Sequence, residues 1–286
     1  MLATTRSCLL RGLEGQPVEV QVDVAHGGSQ FLLVGLAGGS VKEARERVRS
    51  AIRNTGLSFP LSRLTVNLAP AQLHKEGTHL DLAIAVGIAL ATAGKSVPPA
   101  CAFLGELALD GRVTHVDGVL VAARHLAAAG VRTLFVAVED AAEAALVEGL
   151  QVHPSPDLAS VLAHLGGEAA LAVQEAPGLD SASEPRRTDD LVEVHGQEAA
   201  RRALEVAAAG GHHLLLTGPP GAGKTMLARC LPGILPPLTT LQAIEVAEIR
   251  SLLGDLPESG PLDWIPPFRS PHHSISGAGL VGERVV

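Results

Sequence analysis

"LLLTGPPGAGKTMLARCLPG", residues 214–233, runs an apolar stretch into a glycine-rich turn that ends in Lys-Thr and opens a helix-forming segment. Gly218, Pro219, Pro220, Gly221, Ala222, Gly223, Lys224 and Thr225 satisfy the spacing G-x-x-x-x-G-K-[ST], a phosphate-binding loop between a strand and a helix. Glycines suit a loop that winds tightly around an anion with main-chain N–H groups turned inward, because side chains there would block the approach. The helix starting near Gly223 adds its positive end and its unpaired amides. Lys224 is placed for the β and γ phosphates, and the Thr225 hydroxyl for the Mg²⁺ ion that bridges them. The expected ligand is therefore a nucleoside triphosphate with Mg²⁺. Turnover asks for an acidic pair at the end of a neighbouring strand. Asp255, Glu258, Asp263 and Glu283 follow no β-like run, so no catalytic acid is identified and slow hydrolysis at best is expected.

Size and composition set the frame around that loop. A chain of 286 residues is long enough for about two domains, each with its own core. Hydrophobic residues make up 47% against 2% aromatics and no tyrosine, so the cores must be built from Ala, Val, Leu and Ile, which suits α/β layers. A net charge of −8 gives no general attraction for nucleic acid, and leaves that partner to a local patch or an assembled ring. Cys8, Cys101 and Cys230 are too few and too scattered for a disulfide framework or a zinc-spaced set, which fits a reducing, cytoplasmic interior. "MLATTRSCLLRGLEG" at the N-terminus lacks an apolar core of signal-peptide length. "LAIAVGIALATA" at 82–93 is too short to span a bilayer, so it reads as a buried helix and no membrane is expected.

In "VEVQVDVAH" the valines at 18, 20, 22 and 24 alternate with polar residues, the period of a strand covered on one face. "FLLVG" and "RLTVNLAP" read as further strands. Between them "SVKEARERVRSAIRNTG" reads as a helix, with Ser40 and Glu43 spaced as a capping box and Gly56 placed for a left-handed end. Its basic residues Lys42, Arg45, Arg47, Arg49 and Arg53 are interleaved with Glu43 and Glu46, which predicts a solvated face and not a nucleic-acid site. A hairpin turning at Asp110-Gly111, a helix "VLVAARHLAAAG", a strand "TLFVAV", a helix from about Asp140 and a helix "DLASVLAHLGG" complete a first domain over 1–173. Residues 174–190, rich in Pro, Ser and charge, are expected to be a flexible linker, and 191–286 a second domain. There "HGQEAARRALEVAAAGG" reads as a helix and "HHLLLT" as the strand that feeds the loop.

The stretch "HGQEAARRALEVAAAGGHHLLLTGPPGAGKTMLARCLPGILPPL", with "FRSPHHSISGAGLVG" after it, resembles the magnesium-chelatase-like AAA+ proteins of the ComM/YifB type, and the resemblance covers nearly the whole chain. It implies an α/β protein: an α+β N-terminal domain of the ribosomal S5 domain 2-like type, shared with Lon protease, then a P-loop AAA+ domain cut off before its Walker B strand. It also implies ATP and Mg²⁺ as ligands, self-association into a hexameric ring, and DNA as a partner, since ComM-type members are described as branch-migrating helicases of natural transformation. "KEGTHLDLAIAVGIAL" looks like the Lon segment with the nucleophilic serine, and "FLGELALDGRVTHVDGVLVAARHLAAAG" like the segment with the catalytic lysine. The serine position falls on His79 and no lysine occurs in 119–123, so a Ser-Lys protease is not expected.

His79 and Asp81 stand two apart, which on a helix does not let them face each other, so His79 is expected to be structural. The pairs His212-His213 and His272-His273 lack third and fourth ligands at useful spacing, and no metal is expected on them. The favoured reading is a fragment of an ATP-driven DNA motor that binds ATP and hydrolyses it poorly. The alternatives are a metal-insertion motor of the magnesium chelatase kind and a nucleotide-binding module without turnover.

Overall fold

The computed structural model describes residues 1–35, 38–70, 77–178, 189–257 and 260–281. Two compact units emerge from its contacts: Met1–Gly178 with Ala247–Leu262, and Leu179–Val246 with Asp263–Val286. The stretch 247–262 lies in the second domain by the sequence division, yet its contacts are with the first unit.

The first unit is built on a hairpin of β1 (Leu2–Arg11) and β2 (Glu14–Ala25), turned by Gly12 at φ 57°. Strand β4 (Arg63–Ala69) adds antiparallel to β2, and β3 (Gln30–Val34) adds parallel to β4, giving the order β1-β2-β4-β3. Val20 pairs with Leu68, and Val22 with Val66, so the apolar teeth of both strands share the inner face. Helix α1 (Gly39–Asn54) crosses from β3 to β4. It starts before the expected Ser40 cap: Gly38 occupies the N-cap in extended conformation with no side-chain bond, so the capping box does not close the helix. Gly56 does take the left-handed φ of 80° at the other end. The basic face is also not wholly solvated. Arg47 turns inward to Asp81, and Arg49 lies over the Phe59 ring at 5.8 Å.

Helix α2 (Asp81–Ala93) is apolar on all sides and buried from Asp81 to Ile88, as a central helix must be. Burying each of Leu82, Ile84, Val86 and Ile88 is worth about 1.5–3 kcal/mol. Gly87 permits its closest approach, because a Cβ there would meet Val22 Cγ2 at 2.8 Å.

A second sheet, β5 (Cys101–Phe103), β8 (Thr133–Val136) and β9 (Gln151–Pro154), is parallel throughout, in the order β5-β8-β9. Helices α3 (Val119–Ala128) and α4 (Ala141–Ala144) lie on its crossovers, and the short hairpin β6 (Glu106–Leu107)–β7 (Val113–Thr114) turns at the expected Asp110-Gly111. Helix α5 (Leu158–Gly166) is capped by Asp157, which accepts from the Ser160 N–H at 2.7 Å. Beyond it, Gln174 N–H donates to the Val152 carbonyl at 2.8 Å, so the predicted linker is tied to β9 at its first residue. Residues 179–188 of that linker lie outside the described residues. The late stretch 247–262 completes this unit: Gly118 N–H donates to the Ser251 carbonyl at 2.9 Å, and Arg124 pairs with Glu248 at 2.8 Å.

The second unit gathers Leu191, Val194, Leu204, Leu227 and Cys230 around helices α6 (Glu198–Gly210), α7 (Lys224–Arg229) and α8 (Leu231–Ile234). Helix α9 (Thr240–Leu252) begins in this unit, and α10 (Gly277–Val281) ends the described chain. The strand expected at 212–217 is not formed. A strand of the parallel kind needs neighbours on its edges to satisfy its amides, and the described residues of this unit contain none. Leu215 is accordingly 85% exposed. The mixed α/β class is that of the chain as a whole, with parallel and antiparallel pairing in the first unit.

Candidate functional site

The eight predicted loop residues form one curl at the start of α7, exposed at 218–221 and at Thr225 and half-buried between them. Gly218, Gly221 and Gly223 take φ of 156°, 81° and 80°, values that L side chains rarely adopt, so glycine is required by the backbone itself. A Cβ on Gly221 or Gly223 would meet nothing within 4 Å. The space over the loop is thus open to a ligand, and protein packing is not what selects glycine there. Gly223 is the N-cap, and Leu227 N–H donates to its carbonyl at 2.9 Å, leaving the first amides of α7 without intrahelical acceptors.

Lys224 Nζ curls over the loop and donates to the carbonyls of Gly218 at 2.9 Å and Pro219 at 2.7 Å. Its ammonium is held by these two loop carbonyls. Thr225 is exposed one residue further on. Open space, helix-start amides without intrahelical acceptors and a lysine ammonium thus lie together at the loop. Of the acids weighed at the sequence level, Asp255 belongs to the other unit, and Asp263 accepts from the Ile265 N–H at 3.1 Å in a local turn. Glu258 and Glu283 lie outside the described residues.

In the first unit, His79 Nε2 bonds the Asp117 carbonyl at 2.9 Å, which fastens a loop. Asp81 is taken up by Arg47, through contacts of 2.6 and 3.1 Å, and not by His79. Burial pushes the Asp81 carboxyl up to about 6 against the pull of that guanidinium. His272 and His273 stack 4.0 Å apart on an exposed stretch.

Three side chains that the sequence does not single out converge in the first unit. His115, Asp140 and Glu143 bring one ligand atom each to within 4.8 Å of one another. Asp140 and Glu143 stand one helical turn apart, which is a visible spacing, but only the fold carries His115 to them.

Two family models match the chain: "Subunit ChlI of Mg-chelatase" over residues 20–140 and "Magnesium chelatase, subunit ChlI" over 190–285. The protein is 44% identical to the uncharacterized protein YifB of Salmonella typhimurium, over 97% of this chain and 54% of that one. It is 42% identical to the competence protein ComM of Haemophilus influenzae, over 98% of this chain and 56% of that one. A 26% identity to the Lon protease of Chloroflexus aurantiacus covers 42% of this chain and 15% of that protease. The chain spans about half the length of the YifB and ComM relatives. No helix among the described residues is long and apolar enough to cross a membrane.

Proposed function

The chain belongs to the magnesium-chelatase-like ComM/YifB family, and from that premise we propose that residues 218–225 bind ATP with Mg²⁺ as part of an ATP-driven DNA motor. The observation that carries the reading is the exposed curl of three positive-φ glycines with open space above two of them, closed by Lys224 at a helix start.

Bound Mg²⁺ would supply charge neutralisation between the β and γ phosphates. The amides of 221–225 would hold the phosphate oxygens, and Lys224 would exchange the Gly218 and Pro219 carbonyls for the β and γ phosphates. The Thr225 hydroxyl would take one position on the ion. Among the described residues of the second unit no carboxylate stands at a strand end to orient water, which supports nucleotide binding with slow turnover at best by this chain.

The competence name of the Haemophilus relative supports DNA as the substrate, and the family likeness supports ring assembly as the working form. The chelatase descriptions of both matching models favour a second reading, metal insertion driven by the same loop. Strand-displacement and metal-insertion assays on a longer version that continues past residue 286 separate the two.

The direct test is binding of a fluorescent ATP analogue by anisotropy, with and without Mg²⁺. Lys224→Ala is expected to weaken affinity at least tenfold, and unchanged affinity would reject the loop assignment. Fast phosphate release that Lys224→Ala abolishes would reject slow turnover.

A further inference from the structure

We propose that His115, Asp140 and Glu143 hold a first-row divalent cation of the Zn²⁺ class, a site separate from the nucleotide loop. Asp140 is 1% and Glu143 3% exposed, so two carboxylates are sunk side by side in the first unit with the half-exposed His115 imidazole closing over them. Taking carboxylates out of water is costly unless a cation compensates them.

The polar neighbours of the cluster hold it in a ligating arrangement. Asp140 Oδ2 accepts the Val116 N–H at 3.2 Å, and Glu143 Oε2 accepts the Leu120 N–H at 3.2 Å. Each carboxylate thus has one oxygen fixed by backbone. Asp117 Oδ1 lies 3.2 Å from His115 Nε2, the position of an outer carboxylate that fixes a ligating ring and its tautomer. With the proton on Nε2, the lone pair of Nδ1 faces Asp140 Oδ1, its close partner. In the metal-free cluster a second ring proton, on Nδ1, would satisfy both carboxylates, and a bound cation would take that proton's place.

A separate observation comes from the stretch 247–262. Ser251 is 1% exposed and its Oγ lies against the Glu143 carboxyl, without a hydrogen bond of normal geometry to it. It lines the same cavity, of about 390 Å³, as His115, Asp140 and Glu143. A buried hydroxyl held only by a poorly placed acceptor is costly, and an ion-bound water in that cavity would supply a better one. One imidazole nitrogen with two carboxylate oxygens is the donor set of Zn²⁺ or a neighbouring first-row ion, whereas Mg²⁺ and Ca²⁺ prefer oxygen alone. The open side at His115 leaves room for water to complete the coordination. Bound there, the ion would join the segment before α3, helix α4 and the 247–262 stretch.

The test uses the full chain without nucleotide, stripped with EDTA, freed of chelator, and titrated with Co²⁺ and Zn²⁺. About one equivalent of tight Zn²⁺ is expected by mass spectrometry of the metal, and a Co²⁺ d–d absorption band that saturates at one equivalent and is displaced by Zn²⁺. His115→Ala and Glu143→Gln should each weaken binding at least tenfold, with far-UV circular dichroism confirming the fold and Lys224→Ala leaving binding unchanged. The proposal is overturned if the wild-type chain shows no saturable Co²⁺ band, or if folded His115→Ala and Glu143→Gln bind as tightly as wild type. The wild-type Co²⁺ titration decides the matter even where a variant fails to fold.

Discussion

Replacing Arg47 with Met keeps most of the aliphatic stem and removes the charge that faces Asp81. The carboxylate side chain is 1% exposed and the guanidinium side chain 19%, so the variant strands the more deeply buried partner. After the change, the Leu107 N–H still donates to the carboxylate at 3.4 Å. Removing one member of a buried pair costs about 3–5 kcal/mol when the other stays charged. Asp81 need not stay charged, because its folded pKa is already about 6 and rises further once Arg47 is gone. The folded variant then holds a proton that the unfolded chain, with a carboxyl near 3.9, has released, and stability falls as pH rises through that window. The loss should be about 3 kcal/mol at pH 8 and about 1 kcal/mol at pH 5, where a neutral carboxyl has lost only a hydrogen bond. Urea unfolding followed by far-UV circular dichroism is the suitable assay, since the single tryptophan, Trp264, belongs to the other unit. Equal losses at the two pH values, or under about 1 kcal/mol at pH 8, would refute the account. Asp81→Asn should cost less than Arg47→Met at pH 8, because Arg47 keeps some access to water.

Thr225→Ala is expected to abolish the gain in nucleotide affinity on adding Mg²⁺ while sparing most Mg²⁺-free binding, as read by anisotropy. Phe135 stacks on Phe103 at 5.1 Å and on His153 at 5.1 Å, with no exposure, so Phe135→Ala should destabilise the first unit by about 3–5 kcal/mol in urea unfolding. In EDTA, burial holds the Glu143 carboxyl at about 7, above its ordinary 4.5, so stability should fall by up to about 3 kcal/mol as pH rises from 4.5 through 7. Glu143→Gln should flatten that slope, which urea midpoints at pH 5 and 8 would show. Burial raises the Cys8 thiol to about 12 and also raises those of Cys101 and Cys230, so a thiol reagent should label none of them before unfolding.

Much of the first unit was legible because its elements bury apolar side chains at a regular period. Val18, Val20 and Val22 point inward as their alternation requires, and α2 is buried all round as its composition requires. Strand β1 escaped notice for a physical reason: its inward positions include Thr5 and Ser7. Their hydroxyls donate to the carbonyls of Ala83 at 2.9 Å and His79 at 3.4 Å, so burial there is polar and leaves no apolar period. Strand β9 was missed because it is four residues long and buries His153. The run 212–217 carries a strand's composition without neighbours to pair with, and composition cannot report that. The turn at 218–225 was legible as a turn because its glycines are contiguous in sequence and take positive φ. The His115 cluster was not, since its members meet only after β8 and α4 are in place.

The attachment of residues 247–262 to the first unit bears on the order in which the molecule can be finished. A ribosome releases residues 1–178 first, but the Ser251 carbonyl for Gly118 and the Glu248 carboxylate for Arg124 are still inside it. Residues 179–246, which belong to the other unit, must emerge before these partners arrive. The two units are therefore completed in an interleaved way, and a gene cut at the apparent domain border would deliver an N-terminal half that lacks its closing piece.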